Sequence, residues 1–244
     1  MDLALELRNQ IWSNALPEKI DSALYLYKKG CWHPLYLKPS DPHEEYDHKN
    51  DNYNLCFEFR HDLLDQIQVH TLLVFVNHDV REIAIAWAHK QGFFINENKG
   101  YPVFGRPFNP ENDMLYIKPG DVYEFWTEPF SIPNEHPDLI GQQYSIRSFV
   151  EKIAISEDTW QEELKAEPED QFMDELTLTF PFKMLIVITA TPSELRSANG
   201  NLEMRQHWEL DSTRGGEFVL DAHDGTFQFH GSEYANKEDL YKSL

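Results

Sequence analysis

Residues Leu72 to Gly92, LLVFVNHDVREIAIAWAHKQG, decide how the chain is read. Leu72, Leu73, Phe75 and Val76 form an apolar run. Asn77 or Asp79 can then cap a helix, because a short side-chain oxygen accepts from the orphan N–H groups of a first turn. Asp79 with Glu82 three residues on has the capping-box spacing. Val80, Ile83, Ala84, Trp87 and Ala88 recur at i, i+3, i+4, i+7 and i+8, one face of a helix, and Gly92 closes it. A helix this apolar on one side needs cover, so the segments on either side of it must pack against it.

Working outward, the N-terminal stretch Leu3 to Leu16 reads as a second amphipathic helix. Leu7, Ile11 and Ala15 form one row, Trp12 and Leu16 widen it, and Pro17 stops it. Two helices with apolar stripes invite side-by-side packing. Each also carries an acid and an arginine two residues apart, Glu6 with Arg8 and Asp79 with Arg81. Residues two apart on a helix point to different sides and do not pair with each other. The expectation is that these four charges cross-pair between the helices or bond loop backbone. The sharper alternative makes Arg8 or Arg81 part of an aromatic-lined pocket for a ligand.

Between and beyond the helices lie short strand-like runs at Ala23–Tyr27, Pro34–Leu37, Leu55–Phe59 and Met114–Ile117. Residues 40–53 (SDPHEEYDHKNDNY) are polar without periodicity and read as an exposed loop. Tyr101 to Asp113 holds Pro102, Pro107 and Pro110 and reads as irregular, and Asp121 to Pro137 is aromatic and Pro-punctuated. Tyr144 to Ile155 reads as a short helix running into a strand at Lys152–Ile155. Glu157 to Glu175 carries nine Asp/Glu against one Lys, the composition of a solvated face. Lys183 to Ala190 (KMLIVITA) is apolar on both faces, as a covered parallel strand is. Phe218–Leu220 and Phe227–Phe229 flank Asp224-Gly225, a hairpin signal, and Glu233 to Leu244 reads as a terminal helix. Strands near Leu115, Ala154 and Ile186 alternating with helical segments predict an α/β (α+β) fold. Its two helices pack on short, mainly parallel strands, with a C-terminal hairpin.

The net charge of −21 disfavours a nucleic-acid backbone or an anionic membrane as partner; it reads first as a solubilising surface field, with a protein partner of basic surface as the sharper reading. The two cysteines, Cys31 and Cys56, are too few for a disulfide scaffold and form no Cys-x-x-Cys pair. Met1-Asp2 leads into a helical pattern rather than a signal peptide, so a cytoplasmic or nuclear protein is expected. No Gly-x-Ser-x-Gly elbow, catalytic cysteine signature or Gly-rich phosphate loop stands in the chain, and no cofactor or catalytic residue is assigned. His43, Asp47 and His48 put imidazole and carboxylate within six residues, which suits a zinc-like ion. Without a known ligand spacing they read as surface residues rather than a metal site.

Three segments carry a resemblance. Leu5-Glu6-Leu7-Arg8-Asn9-Gln10-Ile11-Trp12 resembles L-P-x-E-L-R-x-x-I-W, with Ala4 where the proline is usual. Leu72 to Ala84 resembles L-L-x-V-N-R-E-S-R-x-x-A, with His78 and Asp79 in place of Arg and Glu. Pro107 to Ile117 resembles F-N-P-x-x-D-x-L-Y. In this order they are similar to the fungal two-EXR domain family, named for two Glu-x-Arg motifs. Ile146–Ile155 and Phe180–Val187 resemble that family's later strands. The resemblance implies one domain over 1–244, with the motifs in 1–117 and an α/β half in 118–244. It also implies an opening helix like that of an F-box, and hence docking onto a ubiquitin-ligase adaptor. The function expected is a non-enzymatic protein–protein interaction module, with an enzyme or small-ligand binder as the alternative.

Overall fold

A computed structural model describes residues 4–40, 46–50, 53–97, 100–166 and 182–188, with the backbone of strands 217–221 and 226–230. The chain forms α1 (Leu5–Asn14), β1 (Leu24–Leu26), β2 (Trp32–Tyr36), β3 (Leu55–Phe59), β4 (Ile67–Val69) and α2 (His78–Lys90). Then follow β5 (Phe94–Asn96), β6 (Val103–Arg106), β7 (Met114–Tyr116), α3 (Val122–Glu135), β8 (Tyr144–Arg147), β9 (Lys152–Ser156) and α4 (Glu157–Ala166). The last strands are β10 (Met184–Ile188), β11 (Glu217–Asp221) and β12 (Thr226–His230).

The organising helix, α2, begins where its sequence says. Asn77 Oδ1 accepts from the Val80 amide at 3.0 Å, so of the two candidate caps it is Asn77 that serves. Its end is a Schellman motif: the Gly92 amide donates to the His89 carbonyl and the Phe93 amide to that of Ala88. The motif needs a left-handed residue, and Gly92 sits at φ +75° without a Cβ penalty. Phe93, buried, then meets the Trp87 ring edge-on at 5.5 Å. Ahead of the helix, Leu72–Phe75 winds into a 3-10 turn that buries Leu73 and Val74 and leaves Leu72, Phe75 and Val76 outside.

Among the described residues the strands form three sheets. The largest has the order β1-β7-β9-β10-β11-β12, in which β1, β7, β9 and β10 run parallel and β11–β12 is an antiparallel hairpin. Both faces of its parallel part are covered. Tyr25, Leu115, Ile153 and Leu185 belong to one core, and Leu24, Met114, Ala154 and Ile186 to another. That explains the continuous apolar runs. The second sheet, β2-β3-β8, adds Leu55, Phe57 and Phe59 to the first core, together with Val122 and Phe125 of α3. The third, β4-β6-β5, supports α2: Phe104, Val69 and Ile95 share a core with Ala84, Ala88 and Leu16.

Two sequence expectations need correction, and one stretch that the sequence analysis left without an element proves helical. Residues 144–147 are strand rather than helix, because Tyr144 to Arg147 pair in parallel with Leu55 to Glu58, a partner 89 residues away that no local window contains. Residues 103–106, within the stretch read as irregular, form the central strand of the third sheet. The Pro-punctuated stretch is a helix, α3, with Pro129 and Pro133 inside it and buried. There the burial of Val122, Phe125 and the two prolines outweighs the lost backbone donors. The turn residues 222–225 and the terminal helix expected over 233–244 lie outside the described residues.

Candidate functional site

The four charges singled out by spacing do not meet. Glu6 and Arg8 are exposed on α1, and Asp79 is exposed at the start of α2, 3.7 Å from His78. Arg81 is turned back on its own neighbourhood, where Nε donates to the Val74 carbonyl at 2.9 Å and ties α2 to the turn before it. α1 and α2 do pack together, but through the C-terminal end of α1: Trp12 and Leu16 enter the shared core. Trp87 Nε1 donates to the Pro17 carbonyl at 2.9 Å, and Gln91 Nε2 to that of Glu18. Leu7, Ile11 and Ala15, the whole of the expected apolar row, are exposed, and only Trp12 and Leu16, the residues that widen it, are covered; that corrects the expectation that the row itself packs against α2.

The buried polar centre lies elsewhere. Asp113 is fully buried beside Arg106, and their side chains form an ion pair. Asp113 also accepts from the Ala23 amide at 2.9 Å and the Asn109 amide at 2.8 Å. Arg106 donates onward to the Asp21 carbonyl at 2.8 Å, and the Tyr25 hydroxyl donates to the carbonyls of Arg106 and Pro107. This lattice fixes the 107–113 loop against β1 and starts β7. Burial pushes the Asp113 carboxyl up, while the two amides and the Arg106 guanidinium pull it down. Spacing alone did not mark Arg106. Asp113 stands in the segment matched to F-N-P-x-x-D, which was a usable signal.

A second buried acid, Glu128 on α3, accepts from the Tyr27 hydroxyl and the Gly30 amide. Burial, then the Glu128 hydrogen bond, drives the Tyr27 phenol upward, so it stays protonated. Nearby Cys31 is pushed up to about 12, by burial first and Glu128 second. With Cys31 1% and Cys56 0% exposed, neither thiol is a nucleophile at neutral pH. Alkylation at neutral pH is expected to leave both unmodified in the folded chain and to label both once urea unfolds it. Prompt labelling of the native protein would contradict this burial.

Of the histidine-loop residues, His43 lies outside the described residues. Asp47 spends its carboxylate on the Lys49 and Asn50 amides, and His48 stacks edge-on with Tyr46 at 4.7 Å. Among the described residues no three His, Cys, Asp or Glu side chains group as metal ligands. An open concavity of about 450 Å³ lies between Tyr53 and the segment Gln142–Ser145. Neither Arg8 nor Arg81 lines it. Among the described residues no helix is long and apolar enough to cross a membrane. In comparisons with protein-family models, curated proteins and solved structures, nothing matches this chain.

Proposed function

We propose that this chain is a non-enzymatic protein-interaction module that offers the Leu7–Ile11 side of α1 to a protein partner. One observation carries the reading. Leu7 and Ile11, one turn apart on the same side of α1, stand about half exposed, while Trp12 and Leu16 enter the core. Apolar side chains kept in water on a helix whose other side is packed have the form of a helix-in-groove docking element. The resemblance of this helix to an F-box opening supplies the partner class, a ubiquitin-ligase adaptor. The net charge of −21 supports a protein over a nucleic acid.

The test is calorimetry with the full chain and a purified adaptor. A complex is expected, and the double substitution Leu7→Asp/Ile11→Asp should weaken it at least about tenfold, because charges would enter an apolar groove. The same substitutions should leave the thermal midpoint nearly unchanged, since both sites face water. Absence of heat with the adaptor, or undiminished binding by the double variant, would remove the proposal.

A further inference from the structure

The concavity between Tyr53 and Gln142–Ser145 is built from one kind of chemistry. It is lined by Tyr53, Gln142, Gln143, Tyr144 and Ser145: two aromatic rings with hydroxyls, two carboxamides and one aliphatic hydroxyl. Among the described residues no carboxylate, ammonium, guanidinium or imidazole lines it. A phosphate, a carboxylate or an amine seated there would lose hydration and gain no ion pair in return.

The walls are set in advance. The Tyr144 ring packs edge-on against the buried Phe57 ring at 5.1 Å and lies 6.5 Å from that of Phe130. Burial pushes its phenol up, so it stays protonated and offers a hydroxyl donor at neutral pH. On the other wall, the Tyr53 amide donates to the Asn50 carbonyl at 3.0 Å. The buried Asn54 beside it exchanges hydrogen bonds with the Asp47 backbone. Gln142 Nε2 donates to the Asp138 carbonyl at 2.6 Å, which orients that carboxamide. Gln143 and Ser145 are exposed, and among the described residues their side chains have no hydrogen-bond partner.

We infer that this concavity binds a neutral saccharide, with the C–H face of a sugar ring against Tyr53 and its hydroxyls on Gln142, Gln143 and Ser145. A sugar matches both halves of the lining. Its ring carbons present an apolar face to an aromatic side chain, and each of its hydroxyls donates and accepts, as carboxamides and hydroxyls do. The shape argues the same way. A flat apolar ligand gains affinity by burying most of its surface, which an open concavity does not allow. A sugar leaves its outer hydroxyls in water without penalty. The volume of about 450 Å³ lies within the range of ordinary ligand pockets, and fixed walls reduce what binding costs in side-chain ordering. This site uses different elements from α1 and does not depend on the reading of that helix.

The experiment is saturation-transfer NMR on the full chain with soluble probes at millimolar concentration: neutral methyl glycosides and disaccharides, glucuronate, glucosamine and phenol. Neutral sugars are expected to take up saturation, most strongly at the C–H protons of one ring face. Titrating the strongest of them into isotope-labelled chain should shift the amides of Tyr53 and Gln142–Ser145. Tyr53→Ala, at a half-exposed position, should weaken binding about tenfold, and Tyr53→Phe, which keeps the ring, should hold it within about threefold. Both variants should keep the parent thermal midpoint, which separates lost binding from lost folding. No saturation of any neutral sugar, preference for the charged probes or for phenol, shifts confined to other segments, undiminished binding by Tyr53→Ala, or an equal loss in both variants would each overturn the proposal.

Discussion

Asp113→Ala is expected to destabilise the chain by roughly 3–5 kcal/mol, measured by urea denaturation. The substitution removes the carboxylate paired with the buried Arg106 guanidinium and takes the acceptor from the amides of Ala23 and Asn109. Against a typical total of about 5–15 kcal/mol, that is a large share of the stability. The arrangement also makes a sharper statement. A buried ion pair can often be exchanged for two apolar residues at little cost, but here the exchange Arg106→Met/Asp113→Leu should remain costly. The two backbone amides that Asp113 satisfies would still lack an acceptor. A double replacement as stable as the parent chain would show that the amides find other partners and that the lattice is dispensable.

Phe57→Ala carries the second large effect, about 3–5 kcal/mol by the same measurement. Phe57 is fully buried in the middle of β3, paired with Pro34 on one side and Ile146 on the other, and its ring supports Tyr144. Removing it leaves a cavity between two sheets that cannot both move inward. Phe94 offers the control: it also lies on a strand but is 56% exposed, and Phe94→Ala should change stability by no more than about 0.5 kcal/mol. Equal losses at the two positions would mean that the core does not lie between the β2-β3-β8 sheet and the parallel strands.

The segments legible from the chain were those whose causes are local. In α2, the cap oxygen of Asn77, the apolar spacing from Val80 to Ala88 and the left-handed Gly92 all act within a few residues of one another. The strands at Leu115, Ala154 and Ile186 were visible because burial on both faces leaves an unbroken apolar run, and they are indeed neighbours in one parallel sheet. Position 146 shows the opposite case. Its surroundings favoured a helix, and only pairing with Phe57 makes it strand.

The candidate sites divide in the same way. Glu6, Arg8, Asp79 and Arg81 drew notice by spacing, yet spacing could not say that Arg81 would reach the Val74 carbonyl or that α1 would be anchored through Trp12 rather than through Leu7. The partners of Arg106, Asp113 and Glu128 are set by segments brought in from far along the chain, Tyr27 with Glu128 being 101 residues apart. Caps and periodicity are properties of a few consecutive residues, and the amino-acid order is enough to specify them. Which helix face is covered and which acid is buried with which base depend on chain segments meeting across the fold, and those contacts exist only once the sheets have assembled.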